Sequence, residues 1–170
     1  MPYEQAYFGI PVFCCDLCCK RIYMPAHFYE QEIKSGLKAK RAISVFLDTI
    51  TRAHRPNLKK VSLNYIFCTD EYLLQYNQQY LNHDTLTDII TFDLSDDDKN
   101  LTGEIYISVE RVKENAAKFG VAYDDELLRV IFHGALHLSG FKDKTKAEQE
   151  EMRKQENLCM ENYKQKLAEK

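Results

Sequence analysis

The segment around which this 170-residue chain is organised reads His133-Gly134-Ala135-Leu136-His137-Leu138-Ser139-Gly140-Phe141-Lys142-Asp143. Its two histidines are four residues apart, so in a helix they stand one turn apart on the same face. Gly140 follows three residues after the second histidine and suits the left-handed conformation that ends a helix. The chain can then turn back and bring Asp143 to the two imidazoles.

Two imidazoles and a carboxylate that converge on one point form a ligand set for a divalent metal, most naturally zinc. Three protein ligands leave one position open for water, which is typical of a catalytic site, and zinc lowers the pKa of that water to about 7. An anionic third ligand weakens the Lewis acidity of the metal and favours a wider choice of divalent cations. The sequence therefore predicts a metal-dependent hydrolase with His133, His137 and Asp143 as ligands.

The helix that carries the histidines is predicted to be central and buried, because residues 124–138 are apolar nearly all round. A Thr-Lys-Ala-Glu capping box at Thr145 predicts one further helix of about twenty residues. Periodicity elsewhere predicts strands at 27–30, 61–68, 88–94 and 103–107, and helices at 34–53, 71–80 and 108–119. This order of elements predicts a single α+β domain.

Residues 1–23 differ from the rest of the chain. They hold four of the six cysteines, at positions 14, 15, 18 and 19, too closely spaced for the paired pattern of a zinc finger. We expect residues 1–23 to be an extension that can be deleted without loss of the fold, and residues 24–168 to form the metallohydrolase domain. Binding of a soft metal by the four thiolates is the alternative.

The composition, with 45% hydrophobic and 29% charged residues, is that of an ordinary globular protein. No apolar run reaches the roughly 18 residues that a membrane span needs, and residues 1–13 lack the positive start of a signal peptide. We therefore expect a cytoplasmic protein with no membrane partner, whose cysteines are reduced thiols.

Charge is segregated along the chain. Residues 31–60 carry eight basic and two acidic side chains, a net charge of +6 within a chain of net charge -3. In the helix predicted at 34–53, Lys34, Lys38, Arg41 and Arg52 lie on the side opposite an apolar stripe. Such a basic face suits a phosphate backbone, so Lys38 and Arg41 are candidate RNA contacts. A solvated surface is the alternative.

The spacing His-x-x-x-His-x-x-Gly-x-x-Asp is similar to that of the metzincin proteases, which place histidine or aspartate last. Those enzymes need a glutamate directly after the first histidine as general base. In this chain that position is Gly134, which cannot move a proton. Peptide hydrolysis is therefore the second hypothesis.

The same segment resembles the YbeY family of bacterial metal-dependent endoribonucleases, whose signature reads His-Gly-x-Leu-His-Leu-x-Gly-Tyr-Asp-His. The chain matches the signature from His133 to Gly140. It then departs from the pattern at three positions: Phe141 replaces tyrosine, Lys142 replaces aspartate, and Asp143 stands in place of the third histidine ligand.

Three other segments carry the resemblance. Residues 87–92 (Thr-Asp-Ile-Ile-Thr-Phe) resemble the family strand Thr-Asp-Val-Leu-Ser-Phe, and residues 103–108 (Gly-Glu-Ile-Tyr-Ile-Ser) resemble its strand Gly-Asp-Ile-x-Ile-Ser. Residues 76–80 resemble its Asn-x-x-Tyr helix end, but Leu81 stands where the family has an arginine.

This resemblance implies a mostly parallel four-stranded sheet flanked by helices, with one zinc ion at a zincin-like site on the central helix. It implies a single-strand-specific endoribonuclease that matures ribosomal RNA at the 3′ end of the small-subunit RNA and takes part in ribosome quality control. His83 and Asp88 are expected near the metal, as candidate substrate-binding residues, because the matching family segments lie there; a structural hydrogen-bonding role is the alternative for each. A third hypothesis, a non-catalytic ribosome-associated factor with a structural metal, rests on the departures at Leu81 and Asp143.

Overall fold

The computed structural model describes residues 24–81 and 85–169. The elements are, in chain order, β1 (Ala26–Glu30), α1 (Lys40–His54), β2 (Lys60–Cys68), α2 (Asp70–Leu81), β3 (Ile89–Asp93), β4 (Asn100–Ser108), α3 (Val109–Phe119), α4 (Tyr123–Leu138) and α5 (Lys146–Ala168). The four strands form one sheet in the order β1-β2-β4-β3. β1, β2 and β4 run parallel and β3 pairs antiparallel with β4, so the expected single α+β domain with a mostly parallel sheet is confirmed.

One face of the sheet and four helices share the main core. Alternate residues of β2, namely Val61, Leu63, Tyr65 and Phe67, point to that face and are buried. They pack with apolar side chains of α1, α3, α4 and α5. α2 packs on the opposite face, where Leu73 joins a smaller cluster. α4 is buried along most of its length, as its sequence predicts.

Two close contacts fix the position of α4 on the sheet. The Tyr65 hydroxyl donates a hydrogen bond to the carbonyl of Ile131 at 3.0 Å, inside the core. A Cβ atom built on Gly134 would lie 2.9 Å from Cγ2 of Ile105 and 3.0 Å from Cδ1 of Ile89. The glycine therefore lets the last turns of α4 lie directly on β3 and β4.

The predicted start of the first helix at residue 34 is wrong, because α1 begins at Lys40. Gly36 (φ 68°) and Ala39 (φ 52°) adopt left-handed conformations that no helix can continue through. The Glu30 carboxylate holds this loop by accepting hydrogen bonds from the N–H and hydroxyl of Ser35. Lys34 and Lys38 consequently do not share a helical face with Arg41 and Arg52, and the predicted basic stripe is wrong in this part.

The other boundaries agree with the predictions to within three residues. β4 begins earlier than predicted, at Asn100, because the strand pairs with β2 from Lys60 onward. The capping box at Thr145 is present and α5 runs for 23 residues. Residues 1–23, with their four cysteines, lie outside the described residues. Among the described helices, none is long and apolar enough to cross a membrane.

Candidate metal centre

The last two turns of α4 place two imidazoles next to each other. The Nε2 atoms of His133 and His137 are 2.9 Å apart and the ring planes are perpendicular. The Asp143 Oδ2 atom lies 3.8 Å from Nε2 of His133 and 3.6 Å from Nε2 of His137. Two ligand atoms of a tetrahedral zinc ion are about 3.4 Å apart. The three groups therefore fit one such cation once the imidazoles separate by a few tenths of an ångström.

A tight turn after α4 returns the chain to the histidines. Gly140 adopts a φ of 103°, in the left-handed region that its sequence position predicts. The Phe141 N–H donates back to the carbonyl of Leu136 at 3.1 Å, which closes the turn. Arg55, at the end of α1, donates to the carbonyl of Leu138 at 3.2 Å and places a cation at the negative end of the α4 dipole. Asp143 follows this turn directly.

The same turn orients the second histidine. Nδ1 of His137 is 3.0 Å from the carbonyl oxygen of Phe141. A carbonyl only accepts hydrogen bonds, so Nδ1 carries the proton and the lone pair of Nε2 faces Asp143. Burial first, and the neighbouring His133 second, lower the pKa of His137. The imidazole is thus neutral at neutral pH, which is the form that binds metals.

A glutamate on α5 orients the first histidine. Nδ1 of His133 is 2.8 Å from Oε1 of Glu156, whose side chain is only 6% exposed. The other oxygen of Glu156 accepts from Arg129 at 3.1 Å and is paired with Arg153 at 3.0 Å. Burial alone would raise the pKa of Glu156, but the hydrogen bond from His133 and the two guanidinium charges outweigh it and lower that pKa. The carboxylate stays ionised and holds the Nδ1 proton, so Nε2 of His133 also faces the candidate metal position.

Sequence reasoning missed Glu156. The signal that indicates it is the buried stripe of α5, in which four of the five side chains are apolar and the fifth is this glutamate: Met152, Glu156, Cys159, Met160 and Tyr163. An ionised side chain in such a stripe needs a partner from another element.

A cleft of about 560 Å³ opens at the three candidate ligands. β3 and the residues before it form one wall, which includes Asp88. The carboxylate of Asp88 accepts a hydrogen bond from the Asn115 amide at 3.1 Å, and the prediction that Asp88 lies near the histidines agrees with its position in this wall. Lys144 also lines the cleft, and sequence reasoning missed it too. The wall further contains the buried Thr91 hydroxyl oxygen, which has no hydrogen-bond partner within the described residues.

Lys38 and Arg41 lie far from this cleft. Nζ of Lys38 pairs with Asp124 at 3.0 Å, in the first turn of α4. Asp124 precedes His137 by thirteen residues, which is about 20 Å along a helix. Arg41 is exposed in the first turn of α1. The structure therefore does not bring these two cations to the histidines, and His83 lies outside the described residues.

Position 134 faces the sheet rather than the cleft. The nearest atoms to a Cβ built there belong to Ile105 and Ile89. A glutamate at this position would displace core side chains, so the metzincin type of general base has no room in this fold.

The mostly parallel sheet, the two histidines on its central helix and the aspartate just after that helix define an α+β protein with a zincin-like candidate metal centre. The sequence model of the family described as "Endoribonuclease YbeY" matches residues 27–164. This chain belongs to that family, as its motifs predict.

Individual relatives agree with this assignment. An "Endoribonuclease YbeY" of Bacteroides thetaiotaomicron is 46% identical over 137 residues, covering 81% of this chain and 98% of the relative. A protein of the same name from Amoebophilus asiaticus is 43% identical over 134 residues, covering 79% of this chain and 90% of the relative. The solution structure of TM1509 from Thermotoga maritima is similar with a TM-score of 0.52 and 26% identity, covering 85% of this chain and 95% of that one.

Proposed function

We propose that this chain is a cytoplasmic, metal-dependent endoribonuclease. It cuts single-stranded RNA during ribosomal RNA maturation, at the 3′ end of the small-subunit RNA, and takes part in ribosome quality control. The observation that carries the proposal is the convergence of His133, His137 and Asp143 at one open cleft, in a chain of the YbeY family.

One divalent cation, zinc in the first place, would be held by Nε2 of His133, Nε2 of His137 and the Asp143 carboxylate. Two neutral imidazoles and one carboxylate are a donor set that suits zinc and its neighbours among the transition metals. When bound, such a cation supplies an acidified water and polarises the phosphoryl oxygen.

The chain's own residues supply positioning, charge and a proton acceptor. Glu156 and the Phe141 carbonyl hold the imidazoles in one tautomer and orientation. Lys144 gives the cleft a cation for the RNA backbone. Asp88, whose Oδ2 is held by Asn115, is the group that we assign to accept a proton from the attacking water.

Lys38 and Arg41 are proposed as contacts to a distant part of the bound strand. A separation of about 20 Å corresponds to about six nucleotides of a stacked strand. Arg41 is the better candidate of the two, because Lys38 is already paired with Asp124. Charge reversal at Arg41 is expected to weaken RNA binding and reduce its dependence on salt concentration.

The test compares cleavage of a fluorescent single-stranded RNA and its duplex by wild type, His133→Ala and Asp143→Ala, with and without a chelator. We expect the single strand alone to be cut by wild type, at least 100-fold slower cutting by His133→Ala, and recovery of chelated wild type on addition of zinc. Metal analysis of protein purified without added metal checks the ligands, since Asp143→Ala should retain less metal. Cutting by chelated wild type and by His133→Ala at the rate of untreated wild type would overturn the proposal.

Peptide hydrolysis is the second candidate, and one observation favours it. Within the described residues β3 is an end strand of the sheet and lines the metal cleft, so an extended peptide can pair with its outer edge. Casein cleavage that disappears with chelator, without any RNA cleavage, would select this candidate.

A further inference from the structure

A second groove leads away from the candidate metal centre along α4. It has a volume of about 240 Å³, lies between α3 and α5, and shares His133, Asp143 and Asp88 with the metal cleft. Glu126, Arg129, Val130 and His133 line it at helical spacing, so one face of α4 forms its floor. An RNA strand with one phosphate at the candidate metal position would place a neighbouring nucleotide in this groove.

The two guanidinium groups of this groove are paired with its carboxylates. Arg129 and Arg153 both pair with Glu156, at 3.1 and 3.0 Å, and Nε of Arg129 is 4.0 Å from Glu126. Two guanidinium groups against four carboxylates, since Asp88 and Asp143 also line the groove, leave no surplus positive charge for a phosphate. The groove instead suits a neutral ligand with a hydrogen-bonding edge.

Two side chains of the groove have unsatisfied binding capacity: one is an exposed aromatic ring and the other a carboxylate without a hydrogen-bond donor among the described residues. Phe119, at the end of α3, is 55% exposed although it is a large apolar ring. The Glu126 side chain is only 6% exposed, yet within the described residues its carboxylate accepts no hydrogen bond and has Arg129 at 4.0 Å as its one ionic partner. The Glu126 oxygens are not among the fully buried, unpartnered atoms of the described residues, so they open onto the groove with acceptor sites free for a ligand.

We propose that this groove is a subsite for the nucleobase next to the cut phosphodiester, and that it selects guanine. The inference rests on the proposed nuclease function. Guanine presents two adjacent N–H donors that a carboxylate such as Glu126 can accept together, and its O6 and N7 atoms suit the guanidinium of Arg153. Phe119 offers a ring face on which the base stacks.

Adenine and uracil fit this set of groups less well. Adenine turns an unprotonated ring nitrogen towards the carboxylate, and uracil has one donor between two acceptors. Either base would leave the Glu126 carboxylate at least partly unpaired. Burial raises the pKa of Glu126, so a neutral glutamine at this position keeps the shape of the groove at little cost to the fold while losing the acceptor pair.

The first experiment cuts a random-sequence single-stranded RNA library with zinc-loaded protein and sequences both product ends. We expect guanine to be enriched about tenfold at one position beside the cut, as for a good base-edge contact. Phe119→Ala and Glu126→Gln should each abolish the enrichment while melting as folded proteins. The control is Tyr29→Ala, which removes another ring that is 52% exposed, on β1, and should leave the enrichment intact.

The second experiment measures binding of GMP and AMP to the zinc-loaded protein by calorimetry. We expect GMP to bind at least fivefold more tightly than AMP, and Glu126→Gln to remove the difference. Selective GMP binding by a protein that cuts no RNA would support the subsite while refuting the proposed nuclease. RNA cleavage without base preference, together with equal binding of the two nucleotides, would overturn the subsite alone.

Discussion

Glu156 determines which nitrogen of His133 faces the cleft, so it is the residue through which α5 acts on the metal centre. Replacing it with glutamine keeps its size and removes its charge. We expect Glu156→Gln to lower zinc affinity by about 10- to 100-fold, as loss of a hydrogen-bond partner of a ligand does. Competition against a chromophoric chelator measures this change.

The matched control for that variant is Glu161→Gln. Glu161 lies on the same helix but is exposed, and its substitution should leave zinc affinity unchanged. If both variants bind zinc as wild type does, Glu156 merely neutralises its two arginines and has no part in holding the metal.

Glu126 gives a prediction about pH. Burial raises its pKa above the ordinary value of 4.5, with Arg129 opposing the rise. Protonated Glu126 therefore contributes to the stability of the folded state below pH 4.5. This contribution to stability is lost as the pH rises through the raised pKa and the carboxyl ionises. Since Glu126→Gln removes the titration, the melting temperature of the variant relative to wild type should be higher at pH 7 than at pH 4. A difference that does not change with pH would show that burial does not perturb the titration of Glu126.

For single residues of the site, the sequence predicts which groups meet when those groups are close together along the chain. His133, His137 and Asp143 meet because one helix turn and one glycine turn bring them together, and both are local patterns. Glu156 is out of reach of such reasoning, since it lies 23 residues after His133 on another helix. The predicted position of Lys38, on a helix, is wrong. The pattern of residues 34–39 is compatible with a helix, but two of these residues adopt left-handed conformations that prevent one.

At the scale of elements, the start of α5 matters to the metal centre because it follows Asp143 by only a few residues. The Thr145 hydroxyl accepts from the Glu148 N–H at 3.3 Å, and the Glu148 carboxylate accepts from the Thr145 N–H at 2.8 Å. We expect Thr145→Ala to lower the free energy of unfolding by about 1 kcal/mol. Urea denaturation measures the loss, and Thr145→Ser, which keeps the hydroxyl, should match wild type. A Thr145→Ala variant as stable as wild type would show that the cap is dispensable.

The sequence predicts the bounds of a helix well where a capping side chain or a terminal glycine marks them. α3 begins after Ser108, whose hydroxyl accepts from the Arg111 N–H, and ends at Gly120 with a φ of 66°. α1 has no such signal, because its N-cap is Ala39 and no side chain caps it. Its true start depends on contacts of Ser35 with Glu30 and Tyr123, which only the folded chain provides.

At the scale of the molecule, the buried core lies entirely between Ala26 and Tyr163 within the described residues. We expect deletion of residues 1–23 to leave a protein that melts cooperatively within a few degrees of the full chain and binds one zinc ion with unchanged affinity. Circular dichroism melting and metal titration check this. Insoluble protein or a broad, non-cooperative transition would show that residues 1–23 belong to the fold.

The α+β class follows from the order of elements, but the strand order β1-β2-β4-β3 does not. Local patterns fix which residues of a strand are buried, whereas pairing joins residues far apart in sequence, such as Lys60 with Asn100. The family resemblance supplies the four-stranded sheet that the residue patterns alone leave open.

α4 is both the central support of the interior and the carrier of two of the three candidate ligands. Any cation bound there stabilises the native state through mass action, by about 1.4 kcal/mol for each tenfold excess of free ion over its dissociation constant. Metal starvation would thus reduce the amount of intact enzyme in the cell as well as its turnover. Supply of the ion, protein abundance and resistance to degradation would rise and fall together.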